Sequence, residues 1–377
     1  MASASVVLTL DALRAAWPDL RDVTLVGLDL GREELDWSEA RLEHTMMLGC
    51  TLAGGLTDEL VARGVGVFPE PSGLPFAVYR ACLYTCDELT AVAEPFSTET
   101  LDQRIAAWFV SSSTSVHDAV IRAVHDATID AAVARFVQGR RVVGVMGGHA
   151  LDRDSPFYRN VARVARALTR AGFSVATGGG PGVMEAANLG AWMAPFTDDA
   201  LDEGIEVLAA SPAYATDPAA FGQHALDVRS RWPNGGESLG VPTWVYVGEP
   251  TSVFATHIAK YFTNSIREDG LLAIARSGVV YAPGGAGTEQ EIFTDTAQNS
   301  LTLYKVRSPM IFFGRAFFEG EHPELVAAAR RQAETFGWGD LISVSDDPDE
   351  VVAFIDDHDP DGAGHSGVER RRSHWGD

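Results

Sequence analysis

The stretches TGGGPGVM (Thr177–Met184) and PGGAGTEQE (Pro283–Glu291) decide the fold. Each follows a short apolar segment, Phe173–Thr177 or Gly278–Ala282, and each runs into a segment with helical spacing. An apolar run that leads through glycines into a helix is typical of a strand–turn–helix unit in an α/β sheet. In open sheets of this kind, ligands bind beyond the carboxyl ends of the strands. Both stretches therefore predict a ligand site as well as a fold.

Strand and helix patterns alternate from residue 140 to about residue 355. This alternation predicts a Rossmann-like, doubly wound, mostly parallel sheet with helices on both faces. We expect further strands at Arg141–Met146, Ile205–Ala209, Thr243–Val247, Pro309–Phe313 and Leu341–Val344. We expect helices at Tyr158–Ala171, Gly182–Met193, Ser252–Arg276, Thr288–Leu301 and Pro323–Phe336.

The chain has 377 residues, which is long enough for this large domain and a smaller N-terminal one. We expect an N-terminal module of unknown role at 1–110, the nucleotide-binding catalytic domain at 111–356, and a disordered tail at 357–377, which has little to bury. Leucines recur at Leu20, Leu25 and Leu30. Ordinary strands and turns explain them better than a pentapeptide-like coil, because the period soon breaks. No internal repeat of solenoid length is evident.

The composition restricts partners and location. A formal net charge of −23 disfavours nucleic acid, so a small anion must be bound by local geometry. No uncharged apolar stretch reaches about 18 residues and the N-terminus lacks a secretory signal, so we expect no membrane association. Three cysteines favour a reducing compartment, and we expect a cytoplasmic protein. We expect no metal and no cofactor, because Cys82 and Cys86 lack a second ligand pair and Asp198–Glu203 is typical of a solvated loop.

The two glycine-rich stretches are candidates for phosphate binding. Consecutive glycines let the backbone approach a ligand, and the following helix presents free amides with partial positive charge. Pro181 suits the first position of such a helix. The alternative is a tight turn without a ligand. The candidate phosphate-binding residues are Gly178, Gly179, Gly180, Gly284, Gly285, Gly287 and Thr288.

A third turn, Met146–His149, follows the first strand of the large domain. Alone it is weak evidence, because a Gly-Gly pair suits any tight turn. Three turns at the carboxyl ends of strands can nevertheless converge on one crevice. Further candidate substrate contacts are Gly147, Gly148, Met184, Glu185 and Asn264.

Glu291 has two interpretations. Thr288 and Glu291 have the spacing of a capping box, in which the glutamate accepts a hydrogen bond from the amide of the residue that caps the helix. A carboxylate one turn into a helix, directly after a glycine loop, also suits a group that faces a bound ligand. The residues alone leave this choice open.

Taken together, Thr177–Met184 and Pro283–Glu291 resemble the paired signatures of the Lonely Guy (LOG) family of phosphoribohydrolases, formerly labelled lysine decarboxylases. The second stretch fits the family pattern PGG-x-GT-x-x-E at every fixed position. The resemblance covers about residues 140 to 345 and favours the larger bacterial branch, which acts on ordinary nucleotides. It implies hydrolysis of a nucleoside 5′-monophosphate to free base and ribose 5-phosphate. It also implies a homo-oligomer, a dimer or larger.

The resemblance further implies a catalytic pair. The family uses the last Glu of the second signature, which is Glu291 here, and an Arg on the preceding helix. Arg267 is the candidate for that Arg, with Arg276 as the other choice. The carboxylate would stabilise an oxocarbenium-like state, activate water or attack covalently, and these three roles stay open. The base is not predicted, because the segment between Met193 and Pro242 is longer than in the short family members.

Other functions fit less well. The main alternative is a non-catalytic carrier of a nucleotide or of the molybdenum cofactor, which would use the same phosphate-binding loops. A dinucleotide-dependent dehydrogenase is disfavoured, because Gly144–Gly148 does not match the glycine fingerprint of that class. Pyridoxal-dependent decarboxylation would need a suitably placed lysine, and the chain has only Lys260 and Lys305.

Overall fold

The computed structural model describes residues 5–90, 97–112, 115–246 and 248–360. Within these ranges no helix combines the length and the apolar character that crossing a bilayer requires. Most of the predicted tail lies outside the described residues.

The strands are β1 (Ser5–Val7), β2 (Val23–Val26), β3 (Met46–Leu48), β4 (Gly66–Phe68), β5 (Val142–Met146), β6 (Ser174–Thr177), β7 (Ser238–Gly240), β8 (His257–Ile258), β9 (Gly278–Tyr281), β10 (Met310–Phe313) and β11 (Ile342–Ser345). The helices are α1 (Leu10–Ala16), α2 (Leu56–Ala62), α3 (Cys86–Thr90), α4 (Leu101–Ser111), α5 (Val116–Phe136), α6 (Pro156–Arg170), α7 (Val183–Trp192), α8 (Asp198–Ala209), α9 (Pro218–Arg231), α10 (Asn264–Ile274), α11 (Ala286–Leu301), α12 (Pro323–Thr335) and α13 (Pro348–His358). Short 3₁₀ turns at Trp37–Glu39 and Gly339–Leu341 and a π turn at Ala316–Glu321 complete the pattern.

The smaller compact unit contains a sheet in the order β1-β2-β3-β4, with every pair parallel. Thr24 pairs with Met46, and isolated bridges join Asp19 to Arg41 and Asp29 to Thr51, each 22 positions apart. The pairs Ser5–Val23, Thr24–Met46 and Met46–Gly66 give offsets of 18, 22 and 20 residues, so the strands follow one another as a parallel coil, the interpretation that the sequence analysis disfavoured. The recurring Leu20, Leu25 and Leu30 are buried in its core.

The larger compact unit contains a seven-stranded sheet in the order β11-β10-β9-β5-β6-β7-β8, with every pair parallel. Helices cover both sides of the sheet, so the predicted fold class is confirmed. From β5 the chain builds the sheet outward through β6, β7 and β8, and then returns to place β9 on the other side of β5. The reversal between β5 and β9 is the point at which open α/β sheets bind ligands.

Helices α6 and α7 pack very closely and fix the position of the glycine loop that precedes α7. Helix α6 begins at Pro156, and its cap Ser155 accepts a hydrogen bond from the Phe157 amide through its hydroxyl. A β-carbon at Gly190 would lie only 2.0 Å from the Ala162 carbonyl oxygen. Glycine at this position lets the two helix backbones touch.

Three of the expected elements are wrong. Ile205–Ala209 belongs to α8, because Thr197 caps this helix and Leu201, Ile205 and Leu208 bury one helical face. The strand expected at Thr243–Val247 lies earlier, as β7, while Thr243 forms only a single bridge and Val247 is outside the described residues.

The segment Ser252–Arg276, expected to be largely helical, contains β8 and is α-helical only over α10. The helix after Pro283 begins at Ala286 rather than Thr288.

The bounds of the two compact units also differ from those of the predicted domains, 1–110 and 111–356. Residues up to Leu83 and Ser111–Ala132 form the smaller unit, and Tyr84–Val110 joins residues from Val133 onward in the larger one. Within this segment, Asp102 accepts hydrogen bonds from side chains of the larger unit. The predicted tail starts too early, because α13 extends to His358 and Arg141 binds Asp359.

Candidate functional site

Three loops lie at the carboxyl ends of β5, β6 and β9: loop A (Met146–His149), loop B (Thr177–Gly182) and loop C (Pro283–Thr288). The Gly148 amide of loop A donates a hydrogen bond to the Pro283 carbonyl of loop C, at 3.0 Å. The Val183 amide, at the end of loop B, donates to the Gly148 carbonyl at 3.1 Å. The three loops predicted to converge therefore meet at the reversal between β5 and β9.

The glycines of loop A allow this meeting. A β-carbon at Gly147 would lie 2.7 Å from a methyl carbon of Val183, and one at Gly148 would lie 3.2 Å from the Gly284 α-carbon. Gly182 has a φ of +69°, and a β-carbon there would lie 2.5 Å from the Gly148 carbonyl oxygen. These residues are required for loop packing, whatever else they contact.

Loop B lies against an arginine and a methionine. A β-carbon at Gly178 would lie 2.7 Å from Met184 Sδ and 2.9 Å from Arg267 Nη2. Gly179 has a φ of +71° and packs on the backbone of Val241. The candidate residues of loop B and Met184 thus form one wall, and Arg267 from α10 touches it.

Loop C is different, because it leaves space. Helix α11 begins at Ala286, its cap is Gly285, and no side chain caps it. The capping box, one of the two interpretations of Glu291, is therefore absent, since Thr288 is already the third helical residue. A β-carbon at Gly285 or Gly287 would meet no atom within 4 Å. The first amides of α11 have no partner within the helix and border this open space.

Glu291 lies on the second turn of α11, and its side chain is only 11% exposed. Its carboxylate is 3.7 Å from Arg267 Nη1 and accepts no hydrogen bond from any residue that the structure describes. Burial raises the pKa of Glu291 to about 7, although Arg267 lowers it, and Glu268 raises it further. Arg267 is anchored by a 2.8 Å hydrogen bond from Nε to the Val241 carbonyl. The structure therefore brings the predicted catalytic pair together.

Asn264 and Glu268 adjoin this pair on α10. Asn264 Nδ2 donates to Glu268 Oε1 at 2.8 Å and to the Tyr246 hydroxyl at 3.3 Å. Gln290 Nε2 donates to Glu268 Oε2 at 2.7 Å. Asn264 Oδ1 is buried and has no hydrogen-bond partner within the described chain, which is unusual for a buried polar atom. Glu268, next to Arg267 in the sequence, was missed.

Glu185 and Arg276 are not at the loops. Arg153 donates two hydrogen bonds to the buried Glu185 carboxylate, at 2.8 and 2.6 Å, and Tyr158 donates a third at 3.0 Å. Glu185 is therefore an internal ion-pair partner rather than a substrate contact. Arg276 follows α10 and lines a separate cleft with Asp295. Of the two arginines, the structure places Arg267 at the loops.

Glu249, which sequence reasoning missed, lies between β7 and β8. Its Oε2 atom is 3.5 Å from the β-carbon position of Gly180 in loop B. Burial raises the pKa of Glu249, while His149, Arg267 and Lys260 lower it. The signal that could have found it is a single charged residue inside the stretch VGEPTSVFAT.

A family model described as SLOG cluster4 family matches residues 140–195, which contain loops A and B. The chain is similar to this family over that segment. The SLOG superfamily is related to LOG proteins and to Rossmann-like nucleotide-binding folds, whereas the finer resemblance to LOG enzymes stays a prediction. A comparison with curated proteins finds no match.

Two solved structures show a distant likeness. The molybdenum cofactor binding protein of the phototrophic bacterium Rippkaea orientalis is 14% identical over 57% of this chain and 95% of that chain, with a TM-score of 0.34. The molybdenum cofactor carrier protein of Chlamydomonas reinhardtii is 17% identical over 57% of this chain and 96% of that chain, with a TM-score of 0.35. Neither likeness bears on what this chain binds.

Proposed function

We propose that this chain hydrolyses the N-glycosidic bond of a nucleoside 5′-monophosphate to free base and ribose 5-phosphate. One observation carries the proposal: the Glu291 carboxylate is buried, accepts no hydrogen bond from the described residues, and lies 3.7 Å from Arg267, where the glycine loops meet. Burying a carboxyl group without a hydrogen-bond partner costs free energy. Such a cost is typical of functional sites, where a perturbed carboxyl group serves chemistry. The predicted homo-oligomer and cytoplasmic location are part of this proposal.

The phosphate would bind at loop C. Gly285 and Gly287 leave open space beside the first amides of α11, and a helix N-terminus attracts anions. The net charge of −23 gives no general attraction, so the local amides must supply the affinity. A phosphate held there would fix the ribose with respect to Glu291. Its binding energy could then serve the cleavage step.

The carboxylate would act on the ribose. Cleavage of an N-glycosidic bond develops positive charge at C1′ and the ring oxygen, and an ionised carboxylate beside these atoms stabilises that charge. With a pKa of about 7, Glu291 is partly ionised at neutral pH. Arg267 favours the ionised form and can orient the substrate through its remaining donors. Activity should therefore rise with pH as Glu291 loses its proton.

A phosphate-ligand carrier is the second candidate. A Glu291 with a pKa of about 7 is largely protonated in mild acid and can then donate a hydrogen bond to a bound phosphate. The loops would hold a nucleotide or the molybdenum cofactor in the same way without cleaving it. Only turnover separates the two functions.

The test incubates the purified protein with AMP, GMP, CMP or UMP and measures the free base by chromatography. We expect base release from at least one nucleotide and a loss of at least about 1,000-fold in kcat in E291Q, since this variant removes the charge that stabilises the transition state. The matched control is E206Q, because Glu206 is an exposed glutamate of α8. Nucleotide binding without any base release would support the carrier and overturn the hydrolase.

A further inference from the structure

We infer that Glu249 donates the proton that the leaving base needs, and that the base is a purine, which accepts this proton at N7. The inference rests on the proposed hydrolysis, and it names a second acid and a substrate class for the same site. A purine suits this role because N7 is a basic nitrogen of the same five-membered ring as the glycosidic nitrogen N9, so a proton on N7 weakens the C1′–N9 bond.

Glu249 lies at a different point of the site than Glu291. Arg267 touches loop B at Gly178 through Nη2 and approaches Glu291 through Nη1. Glu249 reaches the same loop two residues further on, at Gly180. A substrate whose phosphate and ribose lie at loop C and Glu291 has loop B beside it. Glu249 is therefore available to a different part of the substrate than Glu291.

Glu249 lines a cleft together with Trp244, Tyr246 and Lys260. Tyr246 is 44% exposed, and its hydroxyl accepts a hydrogen bond from Asn264. Asn264 also binds Glu268, the neighbour of Arg267, so a chain of hydrogen bonds joins the lining of the cleft to the helix that carries Arg267. An exposed aromatic ring beside an acid is a surface on which a flat base can stack.

Several charged groups influence the Glu249 carboxyl group. The groups that act on it are His149, Arg267 and Lys260, and Glu249 itself contributes to the raised pKa of Tyr214. Burial is the largest influence and favours the neutral acid despite these cations. The carboxyl group accepts no hydrogen bond within the described part of the chain. A carboxyl group that no such hydrogen bond holds can exchange a proton with a ligand.

Hydrogen bonds hold the segment that carries Glu249 in place. The Ser252 amide donates to the Gly179 carbonyl at 2.8 Å, which ties the segment after Glu249 to loop B. Thr251 and the buried Lys260 both bind Asp102 of α4, at 3.1 and 2.7 Å. A donor must be held within reach of the atom that it protonates. This network would position Glu249 without touching the substrate.

In the proposed step, the C1′–N9 bond breaks and its electron pair stays on the base. The Glu249 proton goes to N7, so the base leaves as a neutral molecule. The hydroxyl of one water adds to C1′, and the remaining proton of that water replaces the one that Glu249 gave up, through solvent. The net reaction consumes one water and forms free purine and ribose 5-phosphate.

The test compares GMP with 7-methylguanosine 5′-monophosphate. The methylated base already carries positive charge and leaves as a neutral molecule without a proton. Removing a general acid costs roughly 100- to 10,000-fold. In E249Q we therefore expect kcat/KM for GMP to fall by at least about 100-fold, and kcat/KM for the methylated nucleotide to fall less than about 10-fold. The control is E206Q, which should cleave both like the wild type.

Each other result has a distinct meaning. Equal losses on both nucleotides in a folded E249Q, or no loss on either, overturn the acid role. Cleavage of CMP or UMP but not of GMP by the wild type overturns the purine assignment. Release of no base from any nucleotide by the wild type overturns the proposed hydrolysis itself. If E249Q does not fold, E249D replaces it, and the same selective loss on GMP is required.

Discussion

Loop B with α7 and loop C with α11 have similar sequences but opposite surroundings. Each runs from a strand through glycines into a helix that carries an early glutamate. In loop B, β-carbons at Gly178 and Gly182 would collide with Arg267 and with the Gly148 carbonyl. In loop C, β-carbons at Gly285 and Gly287 would meet nothing within 4 Å. The glycines of loop B allow close packing within the protein, whereas these two of loop C are exposed and border open space.

The early glutamates of α7 and α11 also have opposite surroundings. Glu185 of α7 receives three hydrogen bonds from Arg153 and Tyr158, which satisfy its buried charge. Glu291 of α11 receives none from the described residues, and its nearest cation is 3.7 Å away. A satisfied buried carboxylate is part of the structure, whereas an unsatisfied one next to open space is available to a substrate. The proposed function rests on this difference rather than on the glycine motif.

The largest expected effect concerns Glu185. Replacing it with alanine leaves Arg153 buried without its counter-charge, which costs about 3–5 kcal/mol in free energy of unfolding. Urea unfolding followed by circular dichroism measures this loss. The control Glu206→Ala removes an exposed glutamate and should change stability by less than about 0.5 kcal/mol. Equal stability of the two variants would contradict a structural role for Glu185.

The second expected effect concerns Glu291, whose replacement should raise the free energy of unfolding rather than lower it. Its pKa is about 7 in the folded protein, against an ordinary value of 4.5, so the folded state binds its proton more tightly than the unfolded state. The wild type therefore loses stability as pH rises from 4.5 to 7, and Glu291→Gln does not share this loss. At pH 8 the variant should be more stable by on the order of 3 kcal/mol, and at pH 4 the two should match.

Thermal unfolding and urea unfolding across this pH range measure the difference between the two proteins. Because Asp295 also has a raised pKa, it contributes to both proteins and cancels in the comparison. A difference that stays constant between pH 4 and pH 8 would show that Glu291 ionises normally. In that case the contrast with Glu185 would be lost.

The smallest effect concerns the glycines. Gly287→Ala adds a methyl group in open space within the first turn of α11, so stability should stay equal or rise by up to about 1 kcal/mol. Phosphate or AMP should bind several-fold more weakly, because the methyl group occupies the proposed ligand space. Isothermal titration calorimetry with AMP measures the affinity.

The matched glycine is Gly182, whose positive φ and close carbonyl contacts forbid a β-carbon. Gly182→Ala should therefore destabilise the protein by a few kcal/mol. If Gly287→Ala were as destabilising as Gly182→Ala, the two loops would not differ as the structure indicates.

Much of the fold and part of the site could be predicted from the sequence. The apolar runs that became β5, β6, β9 and β10 were recognisable, because buried parallel strands are short and continuously apolar. The strand predicted at 205–209 was wrong because a short apolar run also fits one face of a helix. Thr197 caps α8, and the run lies within that helix.

The parallel coil of the smaller unit was disfavoured for a different reason. The offsets between its consecutive strands are 18, 22 and 20 residues, so no fixed period runs through the sequence and only the register reveals the coil. A hydrogen-bonded register joins segments that are distant along the chain. Local patterns do not contain this information.

The sequence alone determined the strand–glycine–helix units, the edge of the sheet where they meet, and the pairing of Glu291 with Arg267 through the family resemblance. The tertiary structure decided that α11 begins at Ala286, that Glu185 is neutralised in the core, and that Glu249 reaches loop B. The physical reason is that spacing and propensity act within a few residues. Burial, counter-charges and the pKa of a carboxyl group depend instead on what distant segments bring beside it.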